Sequence, residues 1–335
     1  MAVTLKDVAH AAGVSTATVS RVLSGRRPVT ADVAATVRAA SQELGYQTDV
    51  VARSLRMRTT GTVGMVVPRI SNPFFPAIVE AVEQELAEDD VQLLLCDSRG
   101  SLQQEAARIR ALLGRRVDGI LLVPCESPGS DDVVAIASAA VPVVLIDRTA
   151  GPTGTAASDY VGTDDDLGMA LLIEHLLARG ARTFALVSAT GTTSSALARA
   201  RSYRARAGAV DAASADCELL GDFSYEWGHE AAGRLLAAGP LPDAVVCGAD
   251  IVALGLLSAF HTARVAVPAD VLVTGYDDIG FAALSNPALT TVRQPVEQLG
   301  RAAVRLLRAR IADRSAHRQL EVMKPALVVR ESTGG

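Results

Sequence analysis

Between Thr4 and Gly25 the chain reads TLKDVAHAAGVSTATVSRVLSG, and no other stretch restricts the fold as tightly. Leu5, Val8 and Ala9 recur at helical spacing on one side of a first short helix. Gly13, flanked by Ala12 and Val14, then permits a tight turn. Ser15 is suited to cap a second helix. On that helix Val19, Val22 and Leu23 share a face that packs back on the first, leaving Thr16, Ala17, Ser20 and Arg21 on the other side. Short polar residues and one arginine suit a groove. A turn glycine, a cap and a basic outer face together describe a helix-turn-helix, whose second helix offers its N-terminal half to base edges in the major groove. The plainer alternative is a helical hairpin in an ordinary core, which gives that outer face no use.

The charge distribution agrees. The whole chain of 335 residues carries a net charge of -5, yet residues 1–60 hold eight Lys/Arg against four Asp/Glu and the remainder 24 against 33. A small basic head on a larger acidic body fits DNA binding by the head alone, because like charge keeps the body off phosphate. A length of 335 residues with 49% hydrophobic composition supports two or three domains. The start of the chain lacks a basic-then-apolar leader, and no apolar run approaches twenty residues, so the expectation is a soluble cytoplasmic protein. Cys96, Cys125, Cys217 and Cys247 stand in apolar surroundings without a CxxC pair and read as buried thiols in a reducing compartment. Five histidines show no ligand spacing, so no metal is expected.

Pro28 and Thr30 start, and Gly45 stops, a third helix on which Val29, Val33, Val37 and Leu44 close a small bundle. The following segment, Thr48 to Arg58, could be helical and carries Arg53, Arg56 and Arg58, but is too short to be stable alone. From Gly61 the pattern alternates between short β-rich runs and amphipathic helices. The runs are Thr62–Val67, Val91–Cys96, Gly119–Val123 and Val143–Ile146. After a Gly/Thr/Ser-rich turn at Gly151–Ser158 the pattern restarts with Thr183–Val187, Glu218–Gly221, Ala244–Cys247 and Val271–Thr274. Such repetition calls for two doubly wound halves, each a parallel sheet covered on both faces, with ligands beyond the carboxyl ends of the strands. The sequence contains no phosphate loop, no GxGxxG after a strand and no nucleophile elbow, so an enzyme is not expected. Asp164, Asp165 and Asp166 read as an acidic start to a helix.

The run DVAHAAGVSTATVSRVLSG resembles the N-terminal domain of the lactose-repressor/galactose-repressor (LacI/GalR) family of bacterial transcription factors, and the resemblance continues almost to the C-terminus. It implies an α/β chain: an all-α helix-turn-helix domain at 1–47, a hinge helix and linker at 48–60, and an effector-binding and dimerisation domain at 61–335. The last resembles two-lobed periplasmic sugar-binding proteins, with lobe 1 at about 61–161 and 291–322, lobe 2 at about 162–290 and 323–335, and three crossings between them.

On DNA the resemblance implies that Thr16, Ala17 and Arg21 read base edges, Arg21 by a bidentate contact to guanine. Thr4, Thr18 and Ser20 would touch phosphate, with Ser15, Ser24 and Arg53 also at the interface and Leu55 wedged into a kinked base step. Thr48-Asp49 stands where many relatives have Pro-Asn. In the cleft the same resemblance implies effector contacts from Phe74, Phe75, Asp147, Arg148, Arg199, Phe223 and Asp277, while Trp227 is read as packing. Phe74 and Phe75 are expected on a loop leaving the first strand, and the residues alone leave them open between ligand face and core. Ala249 replaces an asparagine common in sugar-responsive relatives, and Ser202 replaces a glycine. The former removes one amide contact to hydroxyls and weighs against a common aldose, in favour of a disaccharide, a sugar phosphate, a polyol or a nucleobase-type ligand. The expectation is a dimeric, allosteric repressor of carbohydrate genes that needs no cofactor, binds a pseudo-palindromic operator and answers to a sugar or sugar derivative. The alternative is a corepressor-dependent regulator answering to a purine-like metabolite. The tail VVRESTGG carries no heptad run, so a dimer and not a tetramer is expected, and no membrane partner.

Overall fold

Helices α1 (Leu5–Ala11), α2 (Thr16–Ser24) and α3 (Ala31–Glu43) build the N-terminal unit of the computed structural model, which describes residues 3–24, 29–46, 59–151, 158–215 and 217–335. Val8, Val19 and Val37, one from each helix, are fully buried against one another. The Asp7 carboxylate accepts from the backbone N–H and hydroxyl of Thr4 at 2.8 and 2.7 Å, which fixes the start of α1. Gly13 takes φ +64° in the turn, the left-handed region open to glycine at no steric cost. The Ser15 hydroxyl accepts from the Thr18 N–H at 3.1 Å and caps α2, as its position in the sequence implied.

The second unit, Gly61–Gly335, holds two parallel sheets. In the first, β1 (Thr62–Val67), β2 (Gln92–Asp97), β3 (Gly119–Leu122), β4 (Val143–Ile146) and β5 (Asp159–Thr163) alternate with α4 (Phe74–Ala87), α5 (Leu102–Gly114) and α6 (Ser127–Ala140). The second lobe opens with α7 (Asp165–Ala178), β6 (Phe184–Ala189), α8 (Ser194–Val210), the short α9 (Ala212–Ala215) and β7 (Glu218–Gly221). It continues through α10 (Tyr225–Ala238), β8 (Ala244–Cys247), α11 (Asp250–Thr262), β9 (Leu272–Thr274) and β10 (Thr291–Arg293). Helix α12 (Val296–Ala312) and β11 (Leu320–Met323) return to the first lobe, and β12 (Ala326–Val328) pairs antiparallel with β10 in the second. Strand orders are β2-β1-β3-β4-β5-β11 and β7-β6-β8-β9. Fully buried runs such as GILL in β3, VVLI in β4 and AVVC in β8 are what a sheet covered on both faces demands.

Three departures from the sequence reading concern short or irregular elements. Strands β5, β10 and β11 lie outside the runs recognised as strands, because three to five residues of mixed polarity carry little periodicity. One crossing falls after Arg293 and not at residue 291, since β10 pairs with β12 and bridges to the second lobe through Thr274 and Asp277. Phe74 and Phe75 form the first turn of α4 and not a loop, as the Asn72 side-chain oxygen accepts from the Phe74 N–H at 3.2 Å. Of the cysteines, Cys125 and Cys247 are buried, whereas Cys96 and Cys217 are half-buried.

Helices α10 and α11 approach most closely at Gly228 and Gly255, where an added Cβ would run into the Val252 and Tyr225 carbonyl oxygens. Backbone cannot rotate aside. Gly228→Ala is therefore expected to lose about 1–2 kcal/mol in urea denaturation, its overpacking outweighing the gain of about 1 kcal/mol in helix propensity. Gly233, also in α10 but with open space around its Cβ position, should gain about 0.5–1 kcal/mol as Ala.

Candidate functional site

Each sheet reverses its strand order beside its first strand, at β1/β3 and at β6/β8. Crevices at such switch points lie outside the carboxyl ends of the strands, where loops diverge to either side. The first lobe sends Asn72, Phe74 and Phe75 from beyond β1 and Asp147 and Arg148 from beyond β4. The second sends Ser195 and Arg199 from α8, Phe223 from beyond β7, Ala249 from beyond β8 and Asp277 from beyond β9, and all ten residues line one cleft. The seven residues singled out from sequence thus come together, although they span more than 200 positions of chain.

Arg148 and Arg199 organise the cleft. Arg148 is only 6% exposed, and its guanidinium sits 5.4 Å from the Phe75 ring centroid and 5.7 Å from that of Phe223. It bridges aromatic rings of opposite lobes. Its Nε is 3.4 Å from the Asp147 carboxylate, and its Nη1 donates to the Pro124 carbonyl at 3.4 Å. Burial depresses its pKa, while Asp147 works the other way. Asp147 is held at φ +63°, a left-handed conformation costly for a residue with a Cβ, with the Tyr160 hydroxyl donating to its carbonyl.

Arg199 is more fully engaged. Its Nε donates to Asp165 at 2.8 Å, its Nη1 donates to the Gly248 carbonyl at 2.8 Å, and its guanidinium lies 3.7 Å from the centre of the Tyr276 ring. Asp277 is 3.8 Å from Nη1 and accepts from the Gln294 amide at 2.8 Å. Burial alone would lower the Arg199 pKa, but Asp165, Tyr276, Asp277 and Asp147 raise it above the ordinary value. Burial pushes Asp277 up to about 7, against the pull of Arg199. Asp250 is likewise raised by burial and by Asp277, and it ties β10 to the loop after β9 by accepting from the Thr291 hydroxyl at 2.6 Å and the Ile279 N–H at 2.9 Å.

The structure adds Asn72, Asp165, Ser195, Tyr276 and Gln294 to the residues found from sequence. Asp165 corrects the reading of three acids as a plain helix start. Asp164 caps α7 through the Leu167 N–H, Asp165 turns inward to Arg199, and Asp166 faces solvent paired with Arg206. Local composition cannot separate those directions. Trp227 packs, its indole N–H donating to the Ser188 carbonyl at 3.0 Å. Ser202, at the relatives' glycine position, accepts from Arg206 at 2.7 Å. A cavity of about 130 Å³ adjoins Arg148, Phe75 and Phe223 on the side of Thr190, Thr192 and Asp222. At its rim Arg69 and Asp222 pair across the lobes at 3.5 Å, and elsewhere between the lobes the Thr149 N–H donates to the Ser194 hydroxyl at 2.9 Å.

In the N-terminal unit, Ser15, Thr16, Ala17 and Arg21 are exposed on α2, and Thr18 and Ser20 are half-buried, opposite the buried Val19 and Val22. Thr4 is exposed at the start of α1. Arg53 and Leu55 lie outside the described residues, as does the side chain of Ser24.

Residues 4–49 match the model of bacterial regulatory proteins of the lacI family, and residues 173–333 match a periplasmic binding protein-like domain. The HTH-type transcriptional repressor PurR of Photobacterium profundum is 36% identical over 332 residues, covering 98% of both chains. This chain belongs to the LacI family. The ribose operon repressor of Escherichia coli (strain K12) is another LacI-family relative, 34% identical over 98% of this chain and 99% of its own. Among solved structures, the lac repressor dimer bound to operator and the anti-inducer ONPF superposes with a TM-score of 0.87, at 27% identity over 99% of each chain. The exposed face of α2 accordingly belongs to a DNA-binding repressor fold, and the second-lobe residues of the cleft lie within the matched periplasmic-binding-protein-like region.

The buried acids of this LacI-family cleft give a signed pH dependence. Folded Asp277 ionises near 7, whereas an unfolded aspartate does so near about 3.9, so between those values the folded chain keeps a proton that the unfolded chain has lost. Stability from this group therefore falls as pH rises through that window, and Asp165 and Asp250, also raised, act in the same direction. The melting temperature followed by circular dichroism should drop between pH 5 and pH 8, and Asp277→Asn should flatten the drop. An unchanged slope in that variant would assign the titration to other groups.

Proposed function

We propose that the chain is a dimeric repressor that holds a pseudo-palindromic operator and releases it when a pentose of the ribose class binds between the lobes. The observation that carries this reading is the donor and acceptor set of the cleft. Two guanidinium groups and two carboxylates, Asp147 and Asp277, meet beside Phe75 and Phe223, a mixture suited to a small ring with an apolar face and a rim of hydroxyls. The relative named for ribose supports the same class. Ala249 offers no amide, so hydroxyl recognition falls to the charged groups.

A purine reading draws on the PurR relative and on the pair of phenyl rings. Arg148 counts against it, since its own guanidinium stands against both rings and fills the slot that a flat base would need.

On DNA, Arg21 would read guanine, Thr16 and Ala17 neighbouring base edges, and Thr4, Thr18 and Ser20 phosphates, with Ser15 completing the exposed face. A ligand moves such an equilibrium only by discriminating between two states, by about 5.5 kcal/mol for a near-complete switch.

D-ribose titrated into a gel shift on a selected operator should release the duplex, and Arg199→Ala should keep operator affinity while losing that response. Tighter DNA binding with a purine base, and none of this response to ribose, would overturn the sugar reading. Arg21→Ala is expected to cost about 1–3 kcal/mol at the operator and to relax one base position. Equal loss on every operator variant would reduce Arg21 to a phosphate contact.

A further inference from the structure

Arg199 meets three carboxylates of unequal closeness. Asp165 of α7 accepts from Nε at 2.8 Å, Asp277 stands 3.8 Å from Nη1, and Asp147 acts from the opposite lobe. A guanidinium beside a buried carboxylate closes onto it, because a charge-assisted hydrogen bond in a dry site is strong. Here it does not close onto Asp277. Nε is occupied by Asp165, Nη1 by the Gly248 carbonyl and one face by Tyr276, which leaves Nη2 without a hydrogen bond among the described residues.

We propose that Asp165 is a positioning residue of the effector site: by taking Nε of Arg199 it keeps the guanidinium off Asp277, so that the Nη2 donor and the Asp277 acceptor both remain open to a ligand. The ligand half of this inference rests on the sugar reading above; the hold on Arg199 does not. Asp165 is well placed for the task. Its side chain is 12% exposed, on the first turn of a helix whose entry is fixed separately by the Asp164 cap. Asp166, one residue on, supplies an internal control. It is also an acid in the first turn of α7, but its side chain is 68% exposed and pairs with Arg206. If the acids served only the helix terminus, both would act alike.

Without Asp165 the arginine swings to Asp277. The groups facing Asp277 are Arg199 from α8, Asp165 from α7, Asp147 and Arg148 from beyond β4, Gln294 from the crossing after β10, Asp250 from α11 and the neighbouring Tyr276. Losing one acid among these and gaining a direct arginine contact both favour ionised Asp277.

The test uses the full chain with aspartate carboxyl carbons labelled, the Asp277 signal being identified by its loss in Asp277→Asn. In Asp165→Asn, nearly the same shape without the charge, Asp277 should titrate at least about one pH unit below wild type, as expected for a carboxyl gaining an arginine. Asp166→Asn should leave it in place. An unmoved Asp277 in Asp165→Asn, or equal shifts in the two variants, overturns the proposal. Calorimetry with D-ribose then reads the consequence: affinity about tenfold weaker in Asp165→Asn, as for loss of a charged hydrogen bond, and unchanged in Asp166→Asn. Wild-type affinity in Asp165→Asn overturns the positioning role. No heat with the wild-type chain overturns the sugar reading, while the Asp277 titration still decides whether Asp165 holds Arg199. A circular dichroism melt of each variant separates either result from loss of fold.

Discussion

A buried guanidinium is tolerable only where its charge and hydrogen bonds are met, and this cleft is built around meeting that condition for Arg199 while leaving one side of it open. The demands are supplied by distant pieces of chain: a carboxylate from α7, a carbonyl from the end of β8, a ring and an acid from beyond β9. None of these contacts exists until the second sheet has assembled in its order β7-β6-β8-β9. The fold therefore precedes the site, and the site adds buried polar atoms that the fold must afterwards support.

The first lobe brings a contrasting arginine. Arg148 is matched less completely, with Nε lacking a hydrogen bond among the described residues and its flat face set against Phe75 and Phe223. Two phenyl rings in opposite lobes thus share one cation. With the Arg69–Asp222 pair and the Thr149–Ser194 hydrogen bond, it is among the contacts that cross between the lobes at the cleft. Of these, the Arg69–Asp222 pair is exposed and the Arg148 contact is buried.

How far the molecule was legible in its sequence depended on how local each signal is. The Ser15 cap, the Gly13 turn and the valines at helical spacing act within a few residues, and each acts as its position implied. Long apolar strands were legible for the same reason. Strands β5, β10 and β11 were not, because each exists through its partners: β5 through β4 and β11, and β10 through β12. In the cleft, Asp147 and Asp277 were found through a family pattern. Gln294 and Asp165 were missed, since an amide after a short strand and the middle one of three acids carry no signal until Asp277 and Arg199 lie beside them.

Sequence alone determined the elements and their kind: a capped helix pair with a polar outer face, then apolar strands alternating with amphipathic helices, both consequences of periodicity over neighbouring residues. Only tertiary structure decided which acid serves which arginine, because α7 can turn one, two or three adjacent carboxylates inward without any change in helical pattern. The packing of α8 against α7 and β6 selects Asp165, and that selection depends on distances between side chains 34 positions apart in sequence.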